Sequence, residues 1–177
     1  MPAILSTSSN PPRVPLSTKM KAVRIVWAVI GALLLVQAFG VIHNRWEFGF
    51  NETESLPFWA FVVDKSHKAP QRGDYFQFLC PPNPYYPANS KFVKHVMGVP
   101  GDLVTIRGRE FFINGVSVGI AKERSQTGRV AVMAQPGVIP AGHYFMSAPH
   151  KDSLDSRYAM IGLIDQRRLV GIARPVM

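Results

Sequence analysis

The sequence contains little cysteine and little charge. Cys80 is the only cysteine, so no disulfide can form within the chain. A catalytic thiol would need an activating partner, but Cys80 lies in an apolar run that enters a turn, so we interpret it as a small buried hydrophobic residue. Charged residues make up only 18% of the chain and apolar residues 47%. That balance argues against disorder along the whole chain and favours one folded domain with a core.

Acidic residues are missing from the first 44 positions, where the basic residues are Arg13, Lys19, Lys21 and Arg24. This flank holds four of the nine excess positive charges, and residues 45–177, with 16 basic and 11 acidic groups, are only mildly basic. The sequence also lacks zinc-finger spacing, a glycine-rich phosphate loop and an aromatic RNA-binding signature, so we expect no nucleic-acid partner. The histidines show no metal-ligand spacing, so we expect no metal and no cofactor.

One long apolar stretch lies near the N-terminus. Between residues 25 and 42 only Gln37 is strongly polar, and a helix of that length, at about 1.5 Å per residue, nearly crosses a hydrocarbon core of about 30 Å. We predict a disordered cytoplasmic tail over residues 1–20 and a transmembrane anchor over residues 21–43. Because positive flanks stay in the cytoplasm, residues 44–177 are expected in the periplasm, tethered to the lipid bilayer of a bacterial inner membrane.

A cleavable secretory signal is the alternative interpretation of this stretch. Ala38-Phe39-Gly40 has the small-x-small pattern of a cleavage site. The length of the apolar stretch favours a retained anchor.

After residue 44 the sequence changes to short runs rich in β-branched and aromatic residues. These runs are residues 58–63, 75–79, 92–97, 103–106, 111–113 and 144–146. Turn signals separate them, and Asn114-Gly115 between two apolar runs predicts a two-residue hairpin. No long amphipathic helix is indicated. We therefore predict a mainly β fold, an antiparallel coiled sheet or partial barrel that follows one transmembrane helix.

Four separated motifs resemble those of the type I signal peptidase family, the S26 serine–lysine peptidases, and they occur in the family's order. They lie in residues 51–57 (Asn-Glu-Thr-Glu-Ser-Leu-Pro), 72–76 (Arg-Gly-Asp-Tyr-Phe), 94–102 (Lys-His-Val-Met-Gly-Val-Pro-Gly-Asp) and 153–158 (Ser-Leu-Asp-Ser-Arg-Tyr). Each motif alone is weak evidence, but the ordered set is specific. The resemblance implies a serine endopeptidase with a signal-peptidase-like β domain.

By this resemblance Ser55 is the nucleophile and Lys94 the general base. A serine hydroxyl reacts poorly until a base takes its proton, so the lysine amine must be neutral. Lowering its pKa from about 10.4 by about three units requires roughly 4 kcal/mol of destabilisation of the ammonium. Strand alternation places Phe92 and Val96 on the face of Lys94 and His95 on the opposite face. Apolar surroundings are thus expected to lower the lysine pKa.

The resemblance also implies supporting residues around this pair. The backbone N–H of Ser55 and the hydroxyl of Thr53 are expected to stabilise the oxyanion, and Ser153 to orient the lysine amine. Asp155 either pairs with Arg157 to brace the site or lies close to the lysine as a third catalytic member. An adjacent carboxylate would raise the lysine pKa unless Arg157 offsets it. The sequence leaves both roles of Asp155 open.

Three departures from the usual family pattern favour its conjugative-transfer, TraF-like branch. Pro57 follows Leu56 directly, residues 147–152 replace the usual Gly-Asp-Asn, and only 23 residues separate Gly119 from His143, too few for a large accessory β domain. This branch implies that the substrate is a pro-pilin or another exported transfer protein, with conjugative type IV secretion components as candidate partners. The acyl-enzyme would then be resolved by water or by an amine of the same pilin, which gives a circular product.

Two other functions stay open. The first is a compact housekeeping signal peptidase I that removes secretory signal peptides from pre-proteins. The second is a non-catalytic, membrane-tethered assembly factor that has kept the fold.

An apolar cluster near Ser55 has two interpretations as well. It consists of Phe48, Phe50, Leu56, Phe58 and Trp59. These residues form either ordinary core or an apolar surface that rests in the outer leaflet of the membrane.

Overall fold

The computed structural model describes residues 18–50 and 55–176. The chain divides into two compact units, residues 1–41 and 42–177. The helix α1 runs over Thr18–Arg45, and its segment Lys19–Arg45 is long and apolar enough to cross a membrane, a property that signal sequences share. The anchor predicted over residues 21–43 lies within α1. Residues 1–17 of the tail predicted over residues 1–20 lie outside the described residues. Positions 18–20 belong to α1.

Antiparallel strands build the second unit, as predicted. In chain order they are β1 (Trp46–Phe50), β2 (Ala60–Asp64), β3 (Tyr75–Leu79), β4 (Lys91–Gly98), β5 (Leu103–Arg107), β6 (Glu110–Ile113), β7 (Val116–Ile120), β8 (Gly137–Val138), β9 (His143–Ser147), β10 (Ile164–Asp165) and β11 (Leu169–Pro175). A short 3-10 helix, Gln166–Arg168, precedes β11. The six β-prone runs of the sequence correspond to β2, β3, β4, β5, β6 and β9.

The strands form two sheets. A seven-stranded sheet has the order β1-β2-β11-β3-β4-β9-β10, and a four-stranded sheet has the order β7-β6-β5-β8. The predicted hairpin at Asn114-Gly115 joins β6 to β7, and both turn residues have positive φ, 49° and 83°. This is the backbone that a two-residue turn requires.

The last strand lies in the middle of the larger sheet, and the sequence did not predict it. β11 pairs with β2 on one side and β3 on the other. The register shifts between Leu169 and Gly171, where a Cβ on Gly171 would lie 2.3 Å from the Asp64 carbonyl oxygen. Only glycine permits this close approach of two backbones.

The larger sheet curls, which confirms the prediction of a coiled sheet. β1 and β4 are separated by three strands, which would place them about 19 Å apart in a flat sheet with about 4.8 Å between neighbours. That distance exceeds the combined reach of a glutamate and a lysine side chain. Yet Lys91 Nζ on β4 lies 2.6 Å from Glu47 Oε1 on β1. The curl therefore brings β1 across from β4.

The Arg-Gly-Asp and Pro-Gly-Asp motifs meet in one turn cluster around Asp102. Arg72 Nη2 donates to Asp102 Oδ1 at 2.6 Å, and Asn114 Nδ2 donates to the same oxygen at 2.8 Å. The backbone N–H of Val99 donates to Asp102 Oδ2 at 2.8 Å. These hydrogen bonds tie the turns before β3 and β5 to the β6–β7 hairpin, so the two motifs serve the fold.

Within the described residues, three apolar clusters form the core. The first, on one face of the larger sheet, is centred on Phe76, Phe78, Cys80, Val96 and Met146. The second, on the opposite face, holds Leu56, Phe61, Val63, Ala148 and Ala173, and the third, at the smaller sheet, includes Val104, Phe111, Ile113, Phe145 and Tyr158. Cys80 is fully buried, and burial raises its pKa to about 11. This supports its interpretation as a core residue.

Candidate active site

A cleft of about 750 Å³ opens beside β1 and β4. Its walls come from β1, the β3–β4 loop, the first half of β4 and the segment that precedes Asp155. The lining includes Ser55, Lys94 and Ser153, together with Glu47, Phe61, Gln77, Tyr86, Lys91, Phe92, Val93 and Leu154. Three of the predicted site residues therefore share one cleft.

Ser55 is the first described residue after position 50, and it begins a turn. It is 7% exposed. The next residue, Leu56, is buried in the apolar cluster with Phe61 and Val63. This burial fixes the turn that presents Ser55 to the cleft. Thr53 lies outside the described residues, so its predicted oxyanion role stays a prediction.

Lys94 lies on β4, directly opposite Phe76 of β3, and is 5% exposed. Its Nζ lies 5.5 Å from the centre of the Phe92 ring, and Val96 on the same face is fully buried. Burial among these apolar groups lowers the pKa of Lys94 from 10.5 to about 8, against a smaller opposing effect of Asp155. The predicted facing and its electrostatic consequence both agree with the structure.

His95 points to the opposite face of β4, as predicted. Its Nε2 lies 2.7 Å from the Gly73 carbonyl oxygen, and its ring stacks on Tyr75 with 4.8 Å between centroids. It does not line the cleft. We therefore interpret His95 as structural.

Asp155 and Arg157 form a buried ion pair, and both are almost fully buried. Arg157 Nε donates to Asp155 Oδ1 at 2.8 Å, and Nη2 donates to Oδ2 at 2.7 Å. The backbone N–H of Ala148 donates to Asp155 Oδ2 at 3.2 Å. Among the described residues no carboxylate lies within 4.0 Å of Lys94 Nζ. This geometry favours the bracing role of Asp155.

Charge near Lys94 is balanced by the same pair. Asp155 raises the pKa of Lys94 and Arg157 lowers it, and both effects are smaller than that of burial. Arg157 therefore offsets part of the effect of Asp155 on the pKa of Lys94.

Ser153 is 3% exposed and lines the cleft with Lys94. Within the described part of the chain, its Oγ is one of two buried side-chain atoms that have no hydrogen-bond partner. The other is Oε1 of Gln77, which lines the same cleft. A hydroxyl that is buried without a partner can accept a hydrogen bond from an amine in the cleft.

Sequence reasoning missed Gln77, Glu47 and Lys91 as residues of the cleft. Gln77 is the only polar residue between Tyr75 and Leu79, and a polar side chain inside an apolar strand is a signal that could have found it. Glu47 and Lys91 carry no such local signal, because the curl of the sheet brings them together.

The apolar cluster near Ser55 divides between core and surface. Leu56 is buried and Phe58 packs against the core. Phe48, Phe50 and Trp59 are 74%, 72% and 55% exposed, and the rings of Phe50 and Trp59 stack with 6.3 Å between centroids. These three aromatic side chains form an exposed apolar rim.

Among residues 18–50 and 55–176, no group of three or more His, Cys, Asp or Glu side chains could hold a metal ion.

Comparison with known proteins gives one family match and several relatives. The profile of the family described as "Signal peptidase, peptidase S26" matches residues 19–177. Signal peptidase I of Pseudomonas fluorescens is 31% identical over 171 residues, which cover 75% of this chain and 56% of the relative. Signal peptidase I of Pseudomonas aeruginosa is 30% identical over 139 residues, 59% of this chain and 48% of the relative. The chain thus spans about half the length of these relatives.

A solved structure is also similar. The crystal structure of a signal peptidase I from Enterococcus faecalis V583 shares 27% sequence identity and covers 60% of this chain and 97% of its own, with a TM-score of 0.39.

Proposed function

The chain belongs to the signal peptidase family, peptidase S26, and we propose from this that it is a membrane-anchored serine endopeptidase with Ser55 as nucleophile and Lys94 as general base. The observation that carries the proposal is the burial of Lys94 in the cleft that contains Ser55. Burial lowers the pKa of this amine to about 8. A neutral amine is therefore accessible near physiological pH.

The reaction begins when the neutral amine of Lys94 takes the hydroxyl proton of Ser55. Ser55 Oγ attacks the scissile carbonyl, and the backbone N–H of Ser55, with the Thr53 hydroxyl, stabilises the oxyanion. The ammonium then gives its proton to the departing amine as the peptide bond breaks, which leaves an acyl-enzyme. A second nucleophile, deprotonated by the same lysine, releases the acyl group.

Ser153 and the Asp155–Arg157 pair position the general base. The unpartnered Oγ of Ser153 is suited to accept a hydrogen bond from the lysine amine. Arg157 neutralises Asp155 and also donates to the carbonyl oxygens of Ile120 and Ala148, at 3.1 and 3.3 Å. In this account Asp155 is a brace and does not exchange protons with Lys94.

The substrate binds as an extended chain along β4. β4 pairs with β9 only from His95 onward, so the Lys91–Lys94 edge that borders the cleft pairs with no described strand on that side. A peptide added there would form backbone hydrogen bonds and present alternate side chains to the cleft. The proposed membrane topology puts the cationic flank of α1 in the cytoplasm and this cleft in the periplasm, with the exposed apolar rim of Phe48, Phe50 and Trp59 against lipid.

We propose a pro-pilin or another exported transfer protein as substrate, with conjugative secretion components as partners. The direct Leu56-Pro57 sequence supports this branch, as does the short β7–β8 connection, which runs from Ile120 to Gly137. Pilin cyclisation would require an amine of the same chain to displace water at the acyl-enzyme. A housekeeping signal peptidase I is the second candidate, because the relatives above carry that name.

Intact-mass measurement of precursors in cells tests this proposal. A strain in which this chain is the source of precursor processing would carry the wild type, Ser55→Ala, Lys94→Ala or Ser117→Ala. Ser117→Ala is the control, because Ser117 lies on β7 away from the cleft. We expect pilin processing to stop in Ser55→Ala and Lys94→Ala and to continue in the wild type and in Ser117→Ala. A product one water lighter than the trimmed chain indicates cyclisation, and loss of many secretory products indicates the housekeeping role. Unaltered processing in Ser55→Ala would reject the peptidase assignment.

A further inference from the structure

Gln77 is a buried polar residue in an otherwise apolar strand. It is 3% exposed and stands between Phe76 and Phe78, which are fully buried. Its Oε1 has no hydrogen-bond partner among the described residues. An apolar residue would fill this position without leaving an amide oxygen unpaired. Stability of the fold therefore does not explain why a glutamine stands here.

The Gln77 side chain lines the substrate cleft. Gln77 lines it together with Phe61 and Val93, and it lies directly opposite Val93 in the β3–β4 register. Residues opposite each other in antiparallel strands share a face. Gln77 therefore lies at the base of a subsite on the Val93 face of the β4 edge, whereas Lys94 lies on the other face.

Gly49 of β1 lies next to this amide. β1 passes over Gln77, and a Cβ at Gly49 would lie 3.5 Å from Gln77 Nε2. The subsite is therefore bordered by a glycine, by apolar side chains and by one amide that can both accept and donate a hydrogen bond. A hydroxyl group, which also donates and accepts, matches this amide chemically.

We propose that Gln77 selects a substrate with a hydroxyl side chain, serine or threonine, at a residue that precedes the scissile bond on the Gln77 face. An extended peptide on the β4 edge directs every second side chain to this face. The hydroxyl pairs with the amide, whereas an apolar side chain of the same shape leaves the amide unpaired. This inference rests on the proposed function, since it assigns specificity to the same cleft.

A binding experiment tests it without chemistry. The full chain carrying Ser55→Ala, in detergent micelles, is titrated with fluorescent alanine decapeptides that hold a single threonine, or its isostere valine, at successive positions. We expect one position at which the threonine peptide binds about tenfold more tightly, the ratio that one hydrogen bond supplies. Adding Gln77→Met, which keeps the length of the side chain, should bring the ratio to within about twofold of unity.

Gln126→Met is the matched control, because Gln126 lines the same cleft but is exposed. It should leave the threonine-to-valine ratio unchanged. Gln77→Leu serves as a second apolar variant, and a thermal unfolding curve shows whether each variant is folded.

The inference is overturned if no position prefers threonine, if the preference survives both substitutions of Gln77, or if the peptides do not bind. Cleavage by the chain with Ser55 intact is scored separately. A threonine preference without cleavage would reject the peptidase role and keep the specificity of Gln77. Cleavage at equal rates of the threonine and valine peptides would keep the peptidase role and reject the specificity of Gln77.

Discussion

Arg157 holds Asp155 in a two-point contact, with Nε to Oδ1 at 2.8 Å and Nη2 to Oδ2 at 2.7 Å, and the side chains are 2% and 0% exposed. Such planar pairing fixes the direction of the carboxylate as well as its charge. The backbone N–H groups of Ala148 and Arg157 also donate to Asp155, so both carboxylate oxygens have partners other than Lys94. The electrostatics of the proposed general base therefore depend on an arginine that does not touch the substrate.

Removal of Arg157 should destabilise the domain and raise the pKa of Lys94. Arg157→Ala leaves Asp155 buried without a counter-charge, which costs about 3–5 kcal/mol. In folded protein the pKa of Lys94 should rise, because Arg157 no longer opposes Asp155. Thermal unfolding and the pH profile of peptide cleavage measure the two effects. Arg157→Lys keeps the charge and should show a smaller pKa change; an unchanged profile in folded Arg157→Ala would contradict this account.

Cleavage should increase with pH around the pKa of Lys94. The general base acts as the neutral amine, and with a pKa of about 8 only about one tenth of it is neutral at pH 7. The value of kcat/KM should therefore rise roughly tenfold for each pH unit below the midpoint and level off above pH 8. His95→Asn, outside the cleft, is expected to keep this midpoint. A midpoint that disappeared in His95→Asn would identify the histidine as the base instead.

Lys94→Met should abolish cleavage and stabilise the fold at neutral pH. The fall of the Lys94 pKa from 10.5 to about 8 corresponds to on the order of 3 kcal/mol of instability in the wild type. Between these two values the unfolded chain binds a proton that the native chain has lost, so wild-type stability increases with pH. The advantage of the variant should be complete below pH 8 and absent above pH 10.5. Unfolding curves at both extremes measure it, and equal stabilities at pH 7 would show that the amine is well solvated.

Gly119 makes room for the Arg157 side chain. It has a φ of 109°, and a Cβ there would lie 2.7 Å from Arg157 Nη1. Gly119→Ala should therefore displace the guanidinium and destabilise the domain by about 2–4 kcal/mol, with reduced cleavage. Gly108→Ala is the matched control, since Gly108 also has positive φ but faces open space, and it should cost about 1 kcal/mol. Equal losses for both variants would show that backbone strain alone is responsible.

Features of the fold that depend on neighbouring residues were predictable from the sequence. The alternation around Lys94 placed Phe92 and Val96 beside it and His95 away from it, because strand side chains alternate whatever the tertiary context. The Asn114-Gly115 hairpin was predictable for a similar reason, since few residue pairs adopt two successive positive φ angles.

Features that depend on distant parts of the chain were not predictable. β11 returns from the end of the chain to the middle of the sheet, and the curl sets Glu47 against Lys91 across 44 positions. Gln77 has meaning only once its strand is seen to border the cleft. Trp59 is similar: its run of apolar residues left core and surface both open, and the structure shows that 55% of it is exposed.

Direct trapping of the acyl-enzyme tests the central claim, that Ser55 is the nucleophile. The full chain in detergent is mixed with a peptide ester, quenched in acid within seconds and digested, and the acylated fragment is mapped by mass spectrometry. The account predicts a transient acyl adduct on Ser55, absent in Ser55→Ala, with cleavage reduced at least about a thousandfold in that variant. An adduct on another residue, or undiminished cleavage by Ser55→Ala, would contradict it.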